Sequence, residues 1–209
     1  MAKLAAVLLA AGASSRFGAE NKLLVRLNGR PLVRCVAEEI LRSGVSDVVV
    51  VTGCDAPLIE DALAGLPVHC VHNTDWQAGM GSSIACGIGA LDSKATGAFI
   101  VPADMPFLKA SLFRDLASAF QRHDAQRIVY PATPEGEQRN PVLWPRQYFA
   151  ALAALSGPDG AKPLLKSRDV SSVAVKVNDS TLLEDIDTPA ALAAAQSTAR
   201  DPKGSSVFD

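Results

Sequence analysis

The sequence predicts a three-layer α/β fold on a mostly parallel sheet, and three observations carry that expectation. Short apolar runs alternate along the chain with longer amphipathic segments, the order produced by strand–helix crossover units. The early runs are continuous: Met1–Leu9 is almost wholly apolar after Lys3, and Asp47–Val51 is a β-branched run, as suits strands buried on both faces. Two later runs are separated by only a polar turn, Pro134-Glu135-Gly136-Glu137, which predicts a small antiparallel excursion.

Taken in order, Ala5–Leu9 is the first strand, followed by a helix over Pro31–Arg42 with Pro31 in its first turn and Gly44 as its stop. Asp47–Val51 is a strand, Ala56–Ala64 a short helix and Val68–Val71 a third strand. Ser82–Leu91 reads as a helix, Ala98–Val101 as a strand and Lys109–Arg122 as a helix. Arg127–Tyr130 and Pro141–Trp144 form the antiparallel excursion, Ser172–Val177 closes the sheet, and a last helix lies near Thr188–Gln196. The 209 residues suit one domain, expected over 1–196, with a polar tail over 197–209.

A 48% hydrophobic content is enough to bury a sizeable core, though only 5% is aromatic. A net charge of −2 argues against nucleic acid as a partner. No apolar run reaches the ~18 residues of a spanning helix, and no signal peptide pattern opens the chain, so a cytoplasmic protein without a membrane partner is expected. Cys35, Cys54, Cys70 and Cys86 are dispersed beside apolar segments and read as buried free thiols. His69, His72 and His123 have no ligand spacing.

The most informative segment follows the first strand. Ala10 to Ser15 have no bulky side chain, so their backbone N–H groups can approach a base or a phosphate closely. Arg16 supplies a fork and Lys22 a point charge for the same anion, in an ordered Gly12-x4-Phe17-Gly18-x3-Lys22 string. It is not a P-loop, since Asn21 and Leu23 flank Lys22, and Ala10 and Ser15 spoil a dinucleotide fingerprint aligned on Gly12.

Other candidates lie near strand ends. Asp104 follows the run Phe99–Ala103, a place for a Mg²⁺ ligand or for an Asp capping the next turn. Gly79-Met80-Gly81-Ser82-Ser83 leads into a helix, and its hydroxyl and N–H groups suit ribose or phosphate; an ordinary capped helix explains them equally. Asn73 can reach a base edge or form a turn. Asp187 or Thr188 can cap the last helix. Trp144 reads as core, Trp76 as a binding candidate and His72 as structural.

These motifs resemble those of the MobA-like nucleotidyltransferases, and in particular the branch that attaches CMP to molybdopterin. The resemblance spans about residues 4–195 through the opening loop, Gly79–Ile84, Pro102–Pro106, Asn140–Trp144, Gly160–Leu165 and Asp185–Pro189. It implies a Rossmann-like fold of the nucleotide-diphospho-sugar transferase type. It implies that Leu9, Ala10, Ala11, Gly12, Ala13, Ser14, Arg16, Lys22, Asn73, Gly81, Ser82 and Asp104 bind nucleotide. Arg16, Lys22 and Asp104 would be catalytic, with Mg²⁺ or Mn²⁺ on Asp104 and Asp187 and pyrophosphate held by Arg16 and Lys22.

Arg139, Asn140 and Lys162 would face the acceptor. The sequence departs from the family there: a Gly between Arg139 and Asn140 is absent, and Lys162 replaces the usual Arg. The implied partners are CTP and a phosphorylated pterin cofactor, with a molybdoenzyme or its maturation factor beyond them. Ala11, where the guanylyl branch has Gly, favours cytosine over a purine. Transfer of GMP, transfer of CMP to another phosphorylated acceptor, and non-catalytic cofactor delivery remain as alternatives.

Overall fold

The computed structural model describes residues 3–14, 17, 21–167 and 170–200. Its strands and helices, numbered in chain order, are β1 (Leu4–Ala10), β2 (Arg26–Leu27), β3 (Arg30–Pro31), α1 (Leu32–Arg42), β4 (Asp47–Thr52), α2 (Ala56–Ala62) and β5 (His69–His72). They continue with α3 (Met80–Gly89), β6 (Gly97–Pro102), α4 (Ala110–Arg122), β7 (Ile128–Ala132), β8 (Val142–Pro145), α5 (Phe149–Ala153), α6 (Lys162–Leu165), β9 (Ser172–Lys176) and α7 (Pro189–Arg200).

Among the described residues the main sheet has the order β5-β4-β1-β6-β8-β7-β9. β1 pairs in parallel with β4 and β6, β4 with β5, and β7 with β9. β8 alone runs against its neighbours, antiparallel to both β6 and β7. The three-layer, mostly parallel fold with one antiparallel excursion is therefore the one the sequence predicts.

The period-2 alternation of the strands sorts the core into two layers. Ala6, Leu8 and Ala10 of β1 face Val33, Val36 and Ile40 of α1 and Phe113 and Leu116 of α4. Ala5 and Val7 face the other way, with Ile84 and Ile88 of α3 and Leu152 of α5. Ala5 through Leu8 are fully buried, which is why the run is continuous rather than alternating. Phe99 and Phe113 meet edge to face at 5.3 Å between centroids and fix α4 over the sheet.

Several details depart from the sequence expectation. A β2–β3 hairpin, unforeseen, turns through Asn28 (φ 51°) and Gly29 (φ 79°); this Asn-Gly pair is the usual residue choice where both turn positions need positive φ. α3 begins at Met80, not Ser82, because Gly79 (φ 116°) makes the break earlier, so Gly81 to Ser83 lie inside its first turn. α7 runs to Arg200 rather than ending at Gln196, while 201–209 lie outside the described residues. The four cysteines are free, but only Cys35 is buried; Cys54, Cys70 and Cys86 are half-buried. No helix among the described residues is long and apolar enough to cross a membrane.

A third, smaller cluster joins the hairpin to the C-terminal region: Leu27, Leu32, Ile186 and Leu192. It fixes the segment that precedes α7. Truncating the α4 anchor tests the larger core: Phe113→Ala is expected to cost about 3–5 kcal/mol, read as a lower urea midpoint with an unchanged slope.

Candidate active site

The site forms beyond the carboxyl ends of β1 and β6, where an open α/β sheet offers its crevice. The parallel register Leu8↔Val101 and Leu9↔Pro102 sets these two ends side by side. The Ala103 N–H then donates to the Leu9 carbonyl (3.2 Å), placing Asp104 next to the loop that leaves β1.

Asp187 reaches the same point from the other end of the chain. The Ile186 N–H donates to the Asp104 carbonyl at 2.9 Å, and the Ile186 side chain is buried against Leu27 and Leu32. Thr188 caps α7: its Oγ1 accepts from the Ala191 N–H at 3.1 Å. Thr188 thus serves as a cap, while Asp187 Oδ1 faces the same lysine as Asp104.

Between the two carboxylates stands Lys22. Its Nζ donates to Asp104 Oδ2 at 2.7 Å and to Asp187 Oδ1 at 2.8 Å. Burial pulls the Lys22 ammonium downward, but the charges and hydrogen bonds of Asp104 and Asp187 outweigh it and hold its pKa above the ordinary 10.5. Asp104 Oδ1 is buried and finds no hydrogen-bond partner among the described residues. Asp104 therefore does not cap the following turn.

Asn21, to which the sequence assigns no role, organises the surrounding loop. Its Oδ1 accepts from the Leu23 N–H and from the Ser14 hydroxyl, both at 3.1 Å, and its Nδ2 donates to Asp55 Oδ2 at 3.2 Å. It caps the short 3-10 turn Lys22–Leu24 and ties that turn to the β1 loop, where Ser14 adopts φ 51°. Its signal in the sequence was an Asn directly before a helical turn, the ordinary N-cap pattern.

A cleft of about 560 Å³ connects these groups, lined by Leu9, Ala11, Gly12, Ala13, Ser14, Lys22, Asp104 and Asp187 among others. The Ala10 side chain faces the opposite core layer, as strand alternation requires. Among the described residues, nothing lies within 4 Å of where a Cβ at Gly12 would stand, so its backbone is open to a ligand. Trp76, Met80, Ser83 and Pro158 form an adjoining stretch of the wall. Ser83 was passed over in the sequence for its neighbour, and only the helix phase separates the two.

Asn73 and Ser82 line a second groove, of about 540 Å³, that shares Gln77 with the cleft. Asn73 Nδ2 donates to Ser82 Oγ (2.9 Å) and Ser83 Oγ (3.1 Å), and its Oδ1 accepts from the Asp75 N–H, so it ties the β5 exit to α3. Gly81 lines neither cavity: its N–H donates to the Gly157 carbonyl at 2.9 Å, and a Cβ there would meet Ser156 backbone. Arg139, Asn140 and Lys162 are exposed and line neither cavity; Arg139 pairs with Glu137 at 2.7 Å. Trp144 is core, 1% exposed, beside Tyr148. Arg16 lies outside the described residues.

Comparison with known proteins fits this architecture. The model of the MobA-like NTP transferase domain matches residues 6–173. The chain belongs to that family. It is accordingly a nucleotidyltransferase of MobA-like type, and its relatives carry varied names. It is 31% identical over 193 residues to nicotine blue oxidoreductase of Paenarthrobacter nicotinovorans, covering 87% of this chain and 91% of that one. It is likewise 31% identical to the purine catabolism protein PucB of Bacillus subtilis, over 89% and 92%.

Among solved structures, a nucleotidyl transferase from Methanothermobacter thermautotroptrophicus superposes with a TM-score of 0.80 at 22% identity, covering 94% of this chain and 97% of that one. Rv0371c from Mycobacterium tuberculosis, solved also in complex with manganese, gives 0.77 in that complex at 21% identity, over 94% and 99%. These likenesses show the shared fold.

Two measurements check the site. Asn21→Ala is expected to cost about 1–2 kcal/mol, the loss of an N-cap, in urea unfolding. Because the Lys22 pKa is raised on folding, its contribution is complete below 10.5 and fades as pH climbs through the higher folded value. The stability gap between wild type and Lys22→Met is therefore flat from pH 6 to about 10 and narrows above it, measured by urea melts across that range.

Proposed function

We propose that this protein transfers CMP from CTP to the terminal phosphate of a molybdopterin-type cofactor, releasing pyrophosphate. The observation that carries the reading is the single cleft joining an open small-residue backbone, Ala11 to Ser14, to the Asp104–Lys22–Asp187 cluster. A nucleoside triphosphate needs both: close backbone donors for its base or phosphates, and a charge centre where its α-phosphate reacts.

In the reaction an acceptor phosphate oxygen forms a bond to the α-phosphorus as the α–β bridging bond breaks, and pyrophosphate departs. The acceptor phosphate is already ionised, so no residue need act as a strong base. Catalysis then rests on positioning and charge neutralisation. The loop from Ala11 to Ser14 holds the nucleotide, Asn21 fixes that loop to the Lys22 turn, and Lys22 and Arg16 bind phosphate oxygens. Arg139, Asn140 and Lys162 remain the acceptor-side residues that the family resemblance supports.

Asp104 and Asp187 would hold a divalent cation, Mg²⁺ or Mn²⁺, which when bound neutralises charge on the reacting phosphate oxygens. The fit is supported by the unpartnered Asp104 Oδ1 and by a pair of carboxylates already converging on one cation. CTP is preferred over GTP because Ala11, which borders the cleft, stands where the guanylyl branch carries Gly and leaves less room for a purine approaching its backbone.

The oxidoreductase name of one relative favours a second reading, a redox enzyme. The opening loop lacks the Gly-x-Gly-x-x-Gly pattern of a dinucleotide site, which supports transfer over it. Pyrophosphate release decides between them. With a molybdopterin-type acceptor and Mg²⁺, release is expected with CTP and not GTP, and Asp104→Ala is expected to lower it by about 10²-fold or more. Ala11→Gly is expected to narrow the CTP-over-GTP preference by about tenfold or more in kcat/KM. Release from GTP instead of CTP overturns the nucleotide choice; no release, with oxidation of a reduced cofactor, overturns transfer.

A further inference from the structure

One point in the cleft lies 2.7 Å from Asp104 Oδ2 and 2.8 Å from Asp187 Oδ1, and the Lys22 ammonium holds it. We infer that Lys22 is a resident placeholder: it neutralises the carboxylate pair until a divalent cation binds, is displaced by that cation, and then turns to the nucleotide's phosphates. The inference rests on Asp104 and Asp187 being metal ligands, as proposed above.

Three features of the chain fit such an exchange. Two carboxylates that converge without a cation repel one another, so the pair needs a counter-ion in the metal-free state. Lys22 places one ammonium between the two carboxylates, and Asp104 Oδ1 stays buried without a partner among the described residues, so the ammonium satisfies Asp104 incompletely. A divalent cation carries twice the charge of an ammonium and uses more oxygen ligands than three N–H groups can.

The lysine is also built to move at one end only. Asn21 pins the backbone of its turn through the Leu23 N–H and ties that turn to Ser14 and Asp55. The flexible four-carbon stem is left to swing its ammonium from carboxylate to phosphate without moving the loop. The Asp187 side chain is 46% exposed against 20% for Asp104, so the cation enters from the Asp187 side. Metal and nucleotide binding are thereby coupled: each makes room or charge available for the other.

The test uses the full chain, without acceptor or turnover. Mn²⁺ binding is followed by electron paramagnetic resonance in nucleotide-free wild type, Lys22→Met and, as a reference, Asp104→Asn. Lys22→Met is expected to bind Mn²⁺ on the order of tenfold more tightly than wild type, having lost the competing cation; equal or weaker binding overturns the placeholder. In wild type alone, an amine-acylating reagent read by mass spectrometry is expected to modify Lys22 more when Mn²⁺ is added and less again when CTP follows. Unchanged labelling while Mn²⁺ binds also overturns it. If neither wild type nor Lys22→Met binds Mn²⁺, the metal-ligand reading fails and the placeholder falls with it.

Discussion

The ammonium of Lys22 ties together segments that are 82 and 165 residues away along the chain, and the rest of the site depends on that meeting. It can form only because β1 lies between β4 and β6 with a fixed parallel register, which brings the ends of β1 and β6 level. The fully buried Ala5–Leu8 stretch makes that register costly to shift, since a one-residue slip would exchange the two core layers. The electrostatics are then imposed by packing: two carboxylates are carried to one place, and a lysine meets them there.

The same logic explains why the C-terminal part of the chain belongs to the site. Ile186 is anchored twice, by its N–H on the Asp104 carbonyl and by its side chain among Leu27, Leu32 and Leu192. The β2–β3 hairpin supplies Leu27 to that anchor. β8, inserted against the direction of β6 and β7, returns the chain so that β9 can close the sheet beside β7 and lead on to Asp187. Thr188, the next residue, caps α7.

Fold and chemistry are separable here. The backbone superposes on proteins at about a fifth of identical residues, and relatives at 31% identity bear names as different as an oxidoreductase and a purine catabolism protein. What distinguishes members on such a scaffold is the lining of the cleft. In this chain that lining includes the open backbone at Gly12 and the cluster around Lys22.

The sequence by itself determined the three-layer fold, the antiparallel excursion and the opening loop that lines the cleft, because continuous apolar runs, helical periodicity and small-residue loops are local signals. It also brought Asp104 and Lys22 forward, since each sits beside a strand end or a loop that is legible in one dimension. It missed the hairpin, although Asn28-Gly29 was a readable signal, and it gave Asn21 no role because three simultaneous partners exist only in space. That Thr188 caps α7, that Ser83 rather than Ser82 lines the cleft, and that Lys22 stands between two carboxylates were undecidable from residue order. Those choices depend on angles and distances of a few ångströms between segments far apart in the chain, and only the tertiary structure sets them.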